Sequence, residues 1–197
     1  MTSTEAQTEL PTQTMTNNEP GQTLIPAHLR RLVLTGFMGA GKSTIGRLLA
    51  ARITWTFLDL DAHLEARTNA TIPQLFERHG EAHFRRLESS ALASALARAK
   101  TVLALGGGTP EELTNRLLLE QTPGTFTIFL DAPFPTLFDR CMLLDIARPV
   151  LTDPTAAQLR FERRHPLYRR MAGLTIATSD QTPAQTVDAL LLGLAKK

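Results

Sequence analysis

The sequence predicts an α/β fold in which helices cover both faces of a parallel sheet as a three-layer sandwich, and three observations carry that prediction. The apolar run Leu32-Val33-Leu34 leads directly into a glycine-rich loop at 36–44, and a segment with helical apolar spacing, 45–53, follows it. Further short β-rich runs recur at 54–61, 102–105, 125–130 and 173–178, each separated from the next by longer stretches that are helical or polar. With 197 residues, 43% of them hydrophobic, the chain is long enough for one well-buried core and does not require two.

The loop after the first strand reads Gly36-Phe37-Met38-Gly39-Ala40-Gly41-Lys42-Ser43-Thr44, a full match to the phosphate-loop pattern of glycine, four residues, then Gly-Lys-Ser/Thr. Glycines let the backbone wrap an anion, so that the N–H groups of 39–44 converge on phosphate oxygens with the positive end of the next helix behind them. Lys42 supplies a point charge for the outer phosphates, and the Ser43 hydroxyl is a ligand for Mg²⁺. The motif therefore implies a nucleoside triphosphate with its metal.

Composition bounds the rest. The formal charge of +2 is small and the basic residues form no runs, so neither a nucleic acid nor a membrane surface is expected as a partner. A single cysteine, Cys141, rules out an internal disulfide and reads as a small apolar filler on a helix. No apolar stretch reaches the length of a membrane span, and a soluble, cytoplasmic protein is expected. Residues 1–28 are rich in Thr, Gln, Glu and Pro with no periodic apolar face, so a disordered extension precedes a domain at 29–197. That extension has no basic residue before His28 and no apolar centre, and it carries no recognisable address.

The second β-rich run ends in Asp59-Leu60-Asp61. At the carboxyl end of a parallel strand, Asp59 could hold a metal-bound water and Asp61 could accept a proton from a hydroxyl, although aspartates there also serve as plain helix caps. A short helix with Pro73 in its first turn stops at Gly80, and a longer one runs from Glu81 to Arg98. Its apolar stripe holds Phe84, Leu87, Ala91, Leu92 and Ala95, which leaves Glu81, Arg85 and Glu88 on a neighbouring polar face. Arg85 is then either a ligand-facing cation or a surface arginine paired with one of those glutamates. The strand at 102–105 runs into Gly106-Gly107-Gly108, a costly run that marks a close approach to a ligand or φ > 0.

Taken together, these blocks resemble the shikimate kinases, of the nucleoside monophosphate kinase branch of phosphate-loop proteins. The resemblance rests on 36–44, Phe57-Leu58-Asp59-Leu60-Asp61, Gly80-Glu81-Ala82-His83-Phe84-Arg85, Leu105-Gly106-Gly107-Gly108, Arg148-Pro149-Val150-Leu151 and Arg164-His165-Pro166-Leu167-Tyr168, in family order from about residue 31 onward. It implies a five-stranded parallel sheet, a mobile lid at about 143–153, ATP and Mg²⁺ as cofactors, and transfer of phosphate to the 3-hydroxyl of shikimate. It also implies that Asp59 lies near the metal and that Asp61 binds substrate hydroxyls and acts as the base. Arg85 and Arg164 would bind the substrate carboxylate, Gly107 and Gly108 would touch substrate through their backbone, and Arg148 would reach the transferring phosphoryl group. Lys42, Asp61 and Arg148 are thus the expected catalytic residues. The family places an arginine against adenine at the start of the lid, where this chain offers Arg140 or, in a gapless alignment, Cys141. Gln181 stands where many relatives carry a basic residue.

The expected enzyme is a monomer working on small molecules. A related kinase for another polyhydroxy acid such as gluconate is the alternative within the same branch, and a nucleotide-binding regulatory module is the alternative outside it. The two arginines and the triple glycine favour shikimate over the first. The retained Lys42, Asp59, Asp61 and Arg148 argue against the second.

Overall fold

The structure is a computed structural model that describes residues 25–143 and 153–197. Most of the expected N-terminal extension and the expected lid from 144 to 152, with Arg148, lie outside the described residues. Five strands form one sheet: β1 (Arg31–Thr35), β2 (Thr56–Asp59), β3 (Thr101–Ala104), β4 (Thr125–Asp131) and β5 (Leu174–Ala177), in the spatial order β2-β3-β1-β4-β5. All four pairings are parallel, as predicted. Reversal of strand order on either side of β1 creates a crevice at the carboxyl ends of the strands, the place where open α/β sheets bind ligands.

Both faces of the sheet are covered, which explains the apolar runs Leu32-Val33-Leu34 and Val102-Leu103-Ala104 in its central strands. Leu32 and Leu34 of β1 face one core cluster, shared with helices α1 (Lys42–Arg52), α6 (Pro154–Met171) and α7 (Pro183–Leu194). Val33 faces the other cluster, shared with α2 (Leu60–Thr68), α3 (Ile72–Leu96) and α4 (Leu113–Gln121). Alternation along the strand thus distributes successive residues between two cores. Ile25 already packs against the first of them. Helix α5 (Phe134–Leu143) places Leu137 and Cys141 in the interior, with Cys141 in the filler role expected of it. Among the described residues, no helix is long and apolar enough to cross a membrane.

Local signals set the helix boundaries. Thr71 and Gln74 form a reciprocal capping box at the start of α3, and Thr182 and Gln185 form another at α7; proline occupies the first turn in both. Within α3, Gly80 adopts φ 73° and ψ 173°, so the two helical segments expected on either side of it are present and meet at a sharp break. Helix α4 was not assigned from the sequence, and a short 3₁₀ turn (Thr109–Glu111) precedes it.

Three expectations are corrected. Asp61 does not lie on the strand, because β2 ends at Asp59 and Asp61 is in the first turn of α2. Glu88 is not on an exposed polar face; it is 2% exposed and interior. The three glycines at 106–108 take no positive φ, which removes the handedness alternative, and close packing excludes a side chain at Gly106 and Gly108.

Leu49 is fully buried between α1 and the sheet. Leu49→Ala should lower the unfolding free energy by about 2–5 kcal/mol, measured by urea denaturation.

Candidate functional site

The phosphate loop joins β1 to α1 and depends on glycine at defined points. Gly36, Gly39 and Gly41 have φ of 144°, 78° and 86°. A Cβ on Gly36 would lie 2.6 Å from the Leu130 carbonyl oxygen, and one on Gly39 would strike that of Leu137. The loop is therefore wedged between β4 and α5 with no room for side chains. Gly41 caps α1 in the left-handed region without a side-chain hydrogen bond, which leaves the N–H groups of the first turn directed into the cleft. The Lys42 ammonium donates to the carbonyls of Gly36 (2.8 Å) and Phe37 (3.0 Å).

Beside the loop, the Ser43 hydroxyl donates to Asp59 Oδ2 at 2.7 Å. The other oxygen, Asp59 Oδ1, accepts from the backbone N–H groups of Asp61 (3.1 Å) and Ala62 (3.4 Å). The helix-cap reading of Asp59 holds, and the same side chain also stands against the serine. A hydroxyl and a carboxylate in contact are a hard-oxygen pair that fits Mg²⁺ bound mainly through phosphates and water.

These residues line one cleft of about 800 Å³. Its walls run from Lys42 and Ser43 past Asp59 and Asp61 to Gly106 and Gly107, and at the other end to Arg140, Thr178 and Gln181. Arg140 donates to the carbonyls of Thr178 and Ser179 and to the Thr178 hydroxyl, so α5 is pinned to the segment after β5. Cys141 is buried behind Gly39 instead of facing the cleft.

Beyond Gly107 the cleft gives way to an arginine cluster. A Cβ on Gly106 would come 2.7 Å from Asp61 Oδ1, and one on Gly108 would come 2.9 Å from both terminal nitrogens of Arg85 and 3.1 Å from Arg164 Nη2. One bare strip of backbone thus connects Asp61 to both arginines. Arg85 Nη1 donates to Glu88 (2.9 Å) and Nη2 to Glu81 (3.2 Å). Glu88 also accepts from the Thr109 hydroxyl at 2.7 Å, which satisfies its buried carboxylate. On its far side, Arg85 borders a separate hollow of about 620 Å³ with Arg86 and Glu112.

Arg164 donates from Nε to Glu111 Oε2 at 2.9 Å, and its Nη2 lies 2.6 Å from the same oxygen. The Tyr168 hydroxyl donates to the Gly107 carbonyl at 2.6 Å and fixes the strip from beneath. Burial works against the charge on Arg85, yet its hydrogen bonds to the Glu88 and Glu81 carboxylates, and their negative charge, prevail and raise its pKa. Burial would raise Glu111, but Arg164 and Arg163 hold it below the ordinary glutamate range. Burial pushes the Tyr168 hydroxyl well above its usual value, so it remains a donor.

The expected site residues fall into two groups. Gly39, Ala40, Gly41, Lys42, Ser43, Thr44, Asp59, Asp61 and Gly107 border the main cleft. Gly108, Arg85 and Arg164 gather at its end, and Arg148 lies outside the described residues. The pairing of Arg85 with Glu81 and Glu88 was foreseen, but sequence reading placed Glu88 on a polar face and passed over Thr109, Glu111 and Tyr168 as partners of this machinery. Only Tyr168 carried a signal, as the last residue of the Arg164 motif.

A parallel sheet with a phosphate loop at its crevice, facing an aspartate and two arginines, defines a phosphate-loop kinase of the nucleoside monophosphate kinase type. The shikimate kinase family model matches residues 38–195. Shikimate kinase from Lactococcus lactis subsp. lactis (strain IL1403) is 41% identical over 160 residues, covering 81% of this chain and 94% of that protein. A structure of shikimate kinase from Acinetobacter baumannii in complex with shikimate is similar at a TM-score of 0.79 and 36% identity, over 86% of this chain and 95% of that one. A gluconokinase structure from Sinorhizobium meliloti 1021 shares the fold at a TM-score of 0.55 and 19% identity, over 85% of this chain and 92% of that one. The chain belongs to the shikimate kinase family.

Because Glu111 is held below its ordinary range, its stabilising contribution is complete above the unfolded glutamate value and is lost as pH falls through the lower folded value. The stability margin of the wild type over Glu111→Gln should therefore shrink between about pH 7 and pH 3. Urea titrations of both proteins across that interval measure it.

Proposed function

We propose that the chain transfers the terminal phosphoryl group of ATP to the 3-hydroxyl of shikimate, giving ADP and shikimate 3-phosphate. The observation that carries this reading is the glycine strip, which sets the Asp61 carboxylate at one end and the Arg85 and Arg164 guanidiniums at the other. A molecule with hydroxyls on a ring and one carboxylate matches that spacing of an acceptor and a cationic fork.

In this reading the N–H groups of 39–44 cradle the phosphates, and Lys42 provides their cation. Mg²⁺, held by Ser43 directly and by Asp59 through water, would neutralise charge on the phosphates when bound. Asp61 accepts the hydroxyl proton, while Arg85 and Arg164 fix the acid so that the hydroxyl meets the phosphoryl group in line. Gly107 and Gly108 contact the substrate through backbone. Arg148 is assigned the charge spread over the transferring oxygens. Arg140 borders the far end of the cleft with Gln181, where the base of the nucleotide would lie; its guanidinium is engaged by Thr178 and Ser179. A monomeric cytoplasmic enzyme of the route to aromatic compounds completes the proposal, with a domain from about residue 29 and a lid at about 143–153.

A coupled ADP-release assay with full-length protein, ATP and Mg²⁺ tests it. Turnover is expected with shikimate and not with gluconate, and the absence of turnover with shikimate defeats the reading. Asp61→Asn should lower kcat by about 10² to 10⁴ while ATP binding, followed by calorimetry, persists. Arg164→Lys should raise KM for shikimate about 10- to 100-fold, because the fork is lost while the charge remains.

A further inference from the structure

Arg85 and Arg164 are surrounded by more negative charge than an anion site needs. The structure gathers three cations there, Arg85, Arg163 and Arg164, against three anions, Glu81, Glu88 and Glu111. Glu81 and Glu88 belong to the same helix as Arg85, and Glu88 is a buried structural support tied to Thr109. Glu111 is different. It comes from the 3₁₀ turn just after the glycine strip and reaches across to α6. Its Oε2 lies 2.6 Å from Arg164 Nη2 and 3.8 Å from Arg85 Nη2, and its Oε1 lies 2.5 Å from Arg163 Nη2. A carboxylate of the protein itself therefore sits between the two guanidiniums.

We propose that Glu111 is a specificity-determining counter-carboxylate, which orients Arg164 and cancels the excess positive charge of the pair, so that an acid is selected by fit and not by charge alone. The inference rests on the reading of Arg85 and Arg164 as the pair that binds the substrate acid. Glu111 takes the Nε and Nη2 edge of Arg164, and Nη1 lies toward Gly107 and the Tyr168 hydroxyl, 3.6 Å from where a Gly107 Cβ would stand. The side chains of Glu111 and Arg164 are 18% and 11% exposed, so water screens this pair only in part. With Glu111 ionised the cluster is neutral before an acid enters. With Glu111 uncharged it carries one net positive charge, which favours any anion, including the phosphates handled at the other end of the same cleft.

The test uses full-length protein and inorganic phosphate as the probe, with phosphate titrated against shikimate at saturating ATP. Wild-type turnover of shikimate, read first in the same assay, is the separate check on the functional reading. In Glu111→Gln, which keeps the shape and one acceptor oxygen, the inhibition constant of phosphate should tighten about 3- to 10-fold and KM for shikimate should fall. Glu111→Asp, which keeps the charge, should restore wild-type phosphate sensitivity. Arg163→Gln removes a cation whose side chain is 67% exposed and should weaken phosphate inhibition, a shift of opposite sign that does not depend on how Glu111→Gln folds. Phosphate inhibition unchanged in Glu111→Gln, or unchanged in Arg163→Gln, overturns the proposal and leaves Glu111 as a prop for Arg164.

Discussion

The site depends on one constraint, the absence of side chains along the backbone strip that leaves β3. Asp61 from α2, Arg85 from α3 and Arg164 from α6 approach that strip so closely that a methyl group at Gly106 or Gly108 would collide with them. Glycine here costs conformational entropy on folding, and the cost is offset by a meeting of three charged side chains from three helices that no single element could present. The strip is held rigid in turn. Tyr168 fixes its carbonyl, and the buried pairing of Thr109 with Glu88 anchors its exit.

Buried charge in this region is consistently paired. Glu88 is nearly inaccessible and accepts from both Arg85 and Thr109, as the desolvation cost of an interior carboxylate demands. Arg85 is thereby fixed by groups on its own helix, whereas Arg164 is fixed by a residue that follows the glycine strip. The two arginines are held separately and are aligned only by tertiary structure.

This separation explains what was legible in the chain. β1 and β3 were readable because burial on both faces made 32–34 and 102–105 continuous apolar runs, the other strands because they are rich in β-branched and aromatic residues, and the phosphate loop because its chemistry requires fixed residue types at fixed spacing. The break at Gly80 was readable because glycine interrupts a helical pattern. The pairing of Glu88 with Arg85 was readable from helical spacing, but its burial was not, because Thr109 of the 3₁₀ turn meets it from 21 residues away. Glu111 left no local signal, since its partners are 52 and 53 residues away, at Arg163 and Arg164. Asp61 was assigned to the right place by the wrong element, because the strand ends two residues before it and the helix begins one residue before it.

Asp59 divides its two oxygens between neighbours, one on the Ser43 hydroxyl and one on the first turn of α2. The side chain next to the phosphate loop is therefore also the fastener that sets where the helix carrying Asp61 begins. The phosphate loop and the start of α2 are thus joined through one carboxylate. Removing that carboxylate would therefore release the serine hydroxyl and uncap the turn holding Asp61 in a single step.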